Sequence, residues 1–261
     1  MNLPLGEPHR LSRYRARAAL AERYRDGRVL LAGDAAHQFP ATGIGLNAGL
    51  LDSINLGWKL AAQIHGWAPD GLLDTYHDER HLAGSRMMLQ ARAQAALRRP
   101  QDPDAEALRQ VLQELFADEQ PVRRIGAWVG GTDVRYPMPN PNLHPLTGTF
   151  VPDLPLVTDG GGASLDTLMR PGRPVLLDLA DRADLRAIAE AWCPRIDIHT
   201  ATTDDRPADA LLIRPDAHIA WAATLDQPAD TAASELHAAL THWFGASVIP
   251  AGSWPGSTAH L

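Results

Sequence analysis

The chain has 261 residues, of which 45% are hydrophobic and 21% charged, with a formal net charge of −7. That length suits one large domain or two small ones, and the acidic balance argues against nucleic acid or anionic membrane as the main partner. One cysteine, Cys193, excludes an internal disulfide and a Cys-rich metal site, and no stretch nears the ~18 apolar residues that span a bilayer.

The opening, MNLPLGEPHRLSRYRARAAL, lacks a continuous apolar core, so the expectation is a cytoplasmic protein. Residues 28–34, RVLLAGD, read as a strand, and its unbroken apolar run suggests burial on both faces of a parallel sheet. Residues 35–43 form a loop, and 44–64 carry a helical pattern. Leu46, Leu50, Ile54, Trp58 and Ala61 recur at steps of three or four and predict the core face, with Gly66 and Pro69 ending the helix. Further helices are expected over residues 72–97 and 105–129, the latter interrupted or kinked near Pro121. The run GGTDVRYPMPNPNLHPLTGTFVPDLPL and the glycines that follow it mark an ordered linker over residues 131–173.

Beyond the linker come strands at 174–179, 195–200, 210–214 and 218–222, with helices at 183–191 and 231–243. This β-α-β-β-β-α order is a thioredoxin-like arrangement. An interior strand at residues 29–32 needs neighbours on both sides, and the largely helical stretch around it offers at most one. This part therefore reads as a domain lacking its first portion. The fold class is α/β: a partial Rossmann-like FAD-binding segment with long helices over residues 1–130, the linker, and a thioredoxin-like domain over residues 174–261.

The stretch GIGLNAG at residues 43–49 has the outline of a dinucleotide phosphate loop. Such a loop sits in the tight turn after a strand, with an acidic residue about 20 positions on. Here Gly43 lies nine residues beyond Asp34, and an amphipathic helix follows. A helix N-terminus fits better, with free N–H groups at Gly45, Leu46 and Asn47 turned toward an anionic or electron-rich ligand. Asp34 either caps the turn or accepts hydrogen bonds from sugar or polyol hydroxyls, with Gly33 allowing close approach.

Residues 27–80 resemble the second flavin-binding segment of FAD-dependent aromatic-ring hydroxylases, the single-component monooxygenases that include phenol hydroxylase-like and polyketide-tailoring enzymes. Gly33-Asp34-Ala35-Ala36-His37, Pro40, Gly45-Leu46-Asn47, Asp52, Asn55-Leu56, Trp58-Lys59-Leu60-Ala61 and Tyr76…Glu79-Arg80 fall in family order. Gly131…Tyr136 and Gly148…Pro152-Asp153 resemble the family's linker, and Arg214-Pro215-Asp216…Ala220-Trp221 its C-terminal domain. The resemblance implies FAD as cofactor, NAD(P)H and O2 as co-substrates and a small aromatic substrate. It implies that Asp34 binds the ribityl hydroxyls and that Gly33, Gly43, Gly45, Leu46 and Asn47 surround the flavin. Pro40 would line the pocket shared with substrate, and the cofactor, not a protein nucleophile, does the chemistry. The loop departs from the family in having one proline and lacking a Gly-Gly step. The family's G-x-G-x-x-G segment is expected ahead of residue 1, so a missing N-terminal half is a candidate partner. A truncated or non-catalytic module, half of a two-chain enzyme, and a flavin-fold cyclase are the alternatives.

Three other patterns have plainer explanations. His77-Asp78-Glu79-Arg80-His81 places two histidines at i and i+4, as in zinc peptidases, but Asp78 replaces the glutamate base and no third ligand is evident. Trp192-Cys193-Pro194-Arg195 has the outline of a thioredoxin active site with its second thiol replaced, so dithiol exchange is not expected. Asp102, Asp104, Asp204 and Asp205 read as solvated loop charges, and His37 as a structural hydrogen-bonding residue behind the flavin loop.

Overall fold

A computed structural model describes residues 17–40, 45–99, 101–139, 144–158 and 160–248. Four two-residue strands open it: β1 (Ala19–Leu20), β2 (Arg25–Asp26), β3 (Val29–Leu30) and β4 (His37–Gln38). β1 pairs antiparallel with β4, and β2 with β3. The expected buried parallel strand is thus a short hairpin arm, and Val29 is 64% exposed. An apolar run becomes an interior strand only when neighbours cover both its edges, and among the described residues Val29–Leu30 has only the arm at Arg25–Asp26.

Two long helices follow, α1 (Gly45–Ile64) and α2 (Thr75–Leu97). Both bounds agree with the periodicity, but of the predicted stripe α1 buries only Trp58. Its inward face is Ala48, Asp52, Asn55, Trp58, Lys59 and Ala62, while Leu46, Leu50 and Ile54 are 73%, 54% and 49% exposed. The reversal has a physical cause: Asp52, Asn55 and Lys59 meet complementary partners inside, so their burial is compensated. The expected third helix is two, α3 (Pro103–Leu115) and α4 (Glu119–Gly130). Pro121 lies in the first turn of α4, where a missing N–H breaks no helical bond. Asp102, expected to be a solvated loop charge, is instead the N-cap of α3, its Oδ1 accepting from the amides of Asp104 and Ala105.

The linker holds more structure than its composition suggests. An antiparallel hairpin, β5 (Pro155–Thr158) and β6 (Gly161–Ser164), leads into the short helix α5 (Leu165–Met169). Then come β7 (Val175–Asp178), α6 (Ala183–Ala189), β8 (Asp197–Thr200), β9 (Ala210–Ile213), β10 (Ile219–Ala223) and α7 (Ala229–Phe244). The four strands run in the order β10-β9-β7-β8, with β7 parallel to β8 and the other pairs antiparallel. This is the thioredoxin-like sheet anticipated from the element order.

Every residue of β7, β9 and β10 is buried, and all but Asp178 at the end of β7 are apolar. Strand alternation sends Val175, Leu177, Leu211 and Ile213 to one face, where Val151, Leu154, Leu156 and Leu165 from the linker and hairpin cover them. Leu176, Leu212 and Trp221 face the other way and pack with α6 and α7 through Leu185, Leu236, Trp243 and Phe244. Each such aliphatic side chain contributes about 1.5–3 kcal/mol by leaving water. Trp58 and Ala62 of α1 and Leu72 join this second cluster, so α1 docks on the thioredoxin-like unit.

Candidate functional site

Beyond β3 the chain turns sharply at Gly33–Ala35, a single 3-10 turn. Gly33 has φ of 58°, a left-handed conformation that favours glycine. Its Cα faces Gly49 of α1, and a Cβ built on Gly49 would stand 3.3 Å from it. Two glycines therefore let the turn lie directly on the helix. Tyr76 fixes the approach by donating from its hydroxyl to the Leu31 carbonyl at 2.6 Å, and His77 Nδ1 accepts from the Tyr24 amide at 3.2 Å. The two histidines of the HDERH stretch thus pack around Tyr24.

At this turn Asp34 is exposed and has no hydrogen bond or ion pair within the described chain. The N-terminus of α1 at Gly45 is close by in the fold through the Gly33–Gly49 contact, and Leu46 and Asn47 are exposed. Pro40 is half-buried between them in sequence. Gly43 lies outside the described residues. The structure thus brings Gly33, Asp34, Gly45, Leu46 and Asn47 to one edge, where the first amides of α1, which have no partner within the helix, and the Asp34 carboxylate lie. That donor and acceptor set suits a group bearing both hydroxyls and developing negative charge.

Beneath the turn lies a fully buried polar cluster. Asp52 Oδ2 accepts from the Gly33 amide at 3.0 Å and from His37 Nε2 at 2.7 Å, and its Oδ1 accepts from Arg80 Nε at 2.7 Å. Arg80 also donates to the Ala48 carbonyl and to Tyr136 Oη at 2.9 Å. Burial opposes ionisation of Asp52, but the His37 hydrogen bond and the Arg80 charge outweigh it and hold the carboxyl below its ordinary value. His37 is the structural residue expected, stacked on Phe39 at 4.8 Å. Its Nδ1 is buried without a partner among the described residues.

A second cluster joins α1 and α2 to the thioredoxin-like sheet. Arg214 grips both oxygens of Glu79 at 2.6 and 2.7 Å and both oxygens of Asp216 at 3.0 and 2.5 Å. Lys59 donates to Glu79 and to Asn55 Oδ1, and Asn55 donates to Glu79 and Asp216, all within 2.7–2.9 Å. The Arg214 guanidinium also sits over the Trp243 ring at 4.4 Å. Two cations face two carboxylates, so the cluster is neutral overall. Burial pushes the Lys59 ammonium down to about 8 against the pull of Glu79. Glu79 is held below its ordinary value by Arg214 and Lys59, which overcome its own burial.

Sequence reasoning noted Asp52, Asn55, Lys59, Glu79, Arg80, Tyr136, Arg214 and Asp216 as family matches without assigning them contacts. One signal was available: Asp52, Asn55 and Lys59 recur at i, i+3 and i+7, which places them on one helical face. Cys193 follows the C-terminal end of α6, whereas a redox-active thiolate favours a helix N-terminus. Burial and the Glu190 charge push its thiol up. Arg195 instead donates to the carbonyls of Phe244 and Ala246 at the end of α7, at 2.7 Å each. Asp204 and Asp205 are exposed loop residues.

Comparison with known proteins places this geometry in context. Residues 2–91 match the FAD binding domain family, and residues 144–247 match the C-terminal domain of aromatic-ring hydroxylases. The chain is 45% identical over 242 residues to a 12-dehydrotetracycline 5-monooxygenase/anhydrotetracycline 6-monooxygenase of Streptomyces rimosus, covering 90% of this chain and 47% of that protein. It is 43% identical over 242 residues to a dialkyldecalin synthase of Streptomyces rugosporus, covering 92% of this chain and 46% of the other. The solved structure of OxyS anhydrotetracycline hydroxylase from Streptomyces rimosus superposes with a TM-score of 0.77 at 45% identity, over 87% of this chain and 47% of that one. The chain spans about half the length of the curated relatives it matches.

Proposed function

This chain belongs to the FAD-binding aromatic-ring hydroxylases, and we propose that it supplies the flavin-facing turn of an FAD-dependent monooxygenase. The reaction is hydroxylation of a phenolic or polyketide-type aromatic with NAD(P)H and O2. One observation carries the reading: the Asp34 carboxylate, which has no partner among the described residues, lies on the turn that packs against the first turns of α1. Asp34 would hold ribityl hydroxyls, and the Gly45–Asn47 amides would face the electron-rich side of the ring. The Gly33–Gly49 contact seats the turn on α1, since a Cβ at Gly49 would stand 3.3 Å from the Gly33 Cα. When bound, FAD supplies the redox chemistry that activates O2. The chain's own part is to orient it, through the Asp52 cluster that fixes the turn. Gly43 and Pro40 complete the proposed loop.

In this reading residues 1–130 form part of the FAD-binding domain, 131–173 the linker and 174–261 the thioredoxin-like domain. The whole catalytic unit includes a segment carrying the G-x-G-x-x-G turn, from this polypeptide or a partner. The bare stripe of Leu46, Leu50 and Ile54 supports a seat for further polypeptide. No helix among the described residues is long and apolar enough to cross a membrane. We place the protein in the cytoplasm, in keeping with its lone unpaired cysteine.

Fluorescence titration of the chain with FAD tests the reading. The expected affinity is weaker than about 1 μM, since only part of the cofactor is addressed, and Asp34→Ala should weaken it about tenfold, the worth of hydrogen bonds to a charged group. An Asp34→Ala variant that binds FAD as well as the parent overturns the assignment. A second reading, catalysis of a cyclisation on a flavin fold, is favoured by the 43% identity to a dialkyldecalin synthase. Product formation without NAD(P)H consumption by the assembled enzyme would select it.

A further inference from the structure

We propose that Tyr136 and His218 are positioning residues for the turn at Gly33–His37, coupling it to the thioredoxin-like domain through Arg80 and Asp52. The coupling concerns this chain's own residues, and only its consequence for cofactor orientation rests on the flavin reading.

The links form a continuous path. His218 is anchored through Nδ1 to the Asp216 carbonyl at 3.0 Å, inside the Arg214 cluster. The Tyr136 ring lies face to face on the His218 ring, 3.9 Å apart and tilted by 15°. Tyr136 Oη accepts from Arg80 Nη1, Arg80 Nε holds Asp52 Oδ1, and Asp52 Oδ2 holds both the Gly33 amide and His37. Every residue on the path from His218 to His37 is at most 3% exposed. In so dry a setting each polar link is strong, and a missing one leaves a buried donor unpaired.

The backbone of Tyr136 is tied to the same domain. Its amide donates to the Gly148 carbonyl at 2.8 Å, and the Gly148 amide donates to Ile219 of β10 at 2.8 Å. A Cβ at Gly148 would come within 2.6 Å of the Tyr136 carbonyl oxygen, so this contact needs glycine. Tyr136 thus moves with the sheet, while its hydroxyl reaches a cluster that ends 103 positions earlier in the sequence, at Gly33. A tyrosine serving only as core would be replaceable by phenylalanine without effect at Gly33. A coupling tyrosine would not, because Phe keeps the ring stack and strands one Arg80 N–H.

Amide hydrogen exchange and NMR shifts of the chain without cofactor decide between these. Tyr136→Phe should move the Gly33 amide and His37 ring resonances and lower Gly33 protection about tenfold, the loss of one buried hydrogen bond passed along the path. His218→Asn should do the same to a smaller degree. Leu212→Ala, equally central to the sheet but off the path, should leave the Gly33 shift in place. Shift changes confined to the neighbours of residue 136, with Gly33 protection intact, overturn the proposal. A response at Gly33 to Tyr136→Phe but not to His218→Asn overturns the link to the thioredoxin-like domain. If Tyr136→Phe does not fold, His218→Phe keeps a stacked ring, breaks the Asp216 bond and puts the same question. Failure of the chain to bind FAD leaves these outcomes unaffected.

Discussion

The thioredoxin-like region and the helical region before it use opposite solutions to burial. The first hides aliphatic side chains on both faces of a four-stranded sheet, with Leu176, Leu177, Leu211 and Leu212 all at 0% exposure. The second hides Asp52, Asn55, Lys59, Glu79 and Arg80, each at 2% or less, and turns Leu46, Leu50 and Ile54 outward. The linker and hairpin cover one face of that sheet, and α6 and α7 cover the other. The helices of the second region instead bury charges that are compensated by one another and leave leucines in water. The two meet at Arg214, where the neutral charged cluster abuts the tryptophans of the apolar core.

The sharpest way to break the contrast is Arg214→Ala, which leaves Glu79 and Asp216 as buried carboxylates without their main counterion. A loss of about 3–5 kcal/mol in urea unfolding is expected. A loss below about 1 kcal/mol would show that water reaches the cluster. Leu212→Ala, on the apolar side of the same junction, should cost about 2–5 kcal/mol through lost transfer energy and a cavity. Unlike Arg214→Ala, its cost should not vary with pH.

Acidification separates the regions next. Burial pushes the His218 imidazole down to about 4, despite the attraction of Asp216. Between the ordinary histidine value and about 4 only the unfolded chain takes up that proton. Stability is therefore full above about pH 6.5 and is lost progressively as pH falls from there to 4, by about 3 kcal/mol. The depressed carboxyls of Asp52, Glu79 and Asp216 extend the loss in the same direction at lower pH. His218→Asn should flatten the slope between pH 6.5 and 4.5, read from denaturant midpoints. The smallest effect is expected at the bare stripe. Leu50→Gln with Ile54→Gln should change stability by no more than about 0.5 kcal/mol per site while reducing self-association in sedimentation. A large destabilisation there would mean that the stripe is covered.

Legibility followed the same divide. β7, β9 and β10 were readable because an unbroken apolar run of three to five residues between turn signals has few other uses. The hairpin β5–β6 was not, since GGAS has no strand propensity. It forms by pairing with Pro155–Thr158, whose Val157 also exchanges backbone hydrogen bonds with Thr202. Helix α1 was visible from its period, yet its buried face was read as the apolar one. Periodicity reports that a face exists, and only the partners decide which face is inside. Of the candidate site, Asp34 and the Gly45–Asn47 amides were legible as motif positions. The clusters beneath them were not, because Asp52 and Arg80, or Glu79 and Arg214, are separated by 28 and 135 residues.

The sequence by itself determined the element types, the thioredoxin-like order and the resemblance to flavin hydroxylases, since these rest on local patterns and on a motif in fixed order. Tertiary structure alone decided that the motif's charged residues pair with each other across the chain. It also decided that the turn at Gly33 is hydrogen-bonded through Asp52 and Arg80 to Tyr136, because pairing energies in a dry interior depend on distances that no spacing along the chain can state.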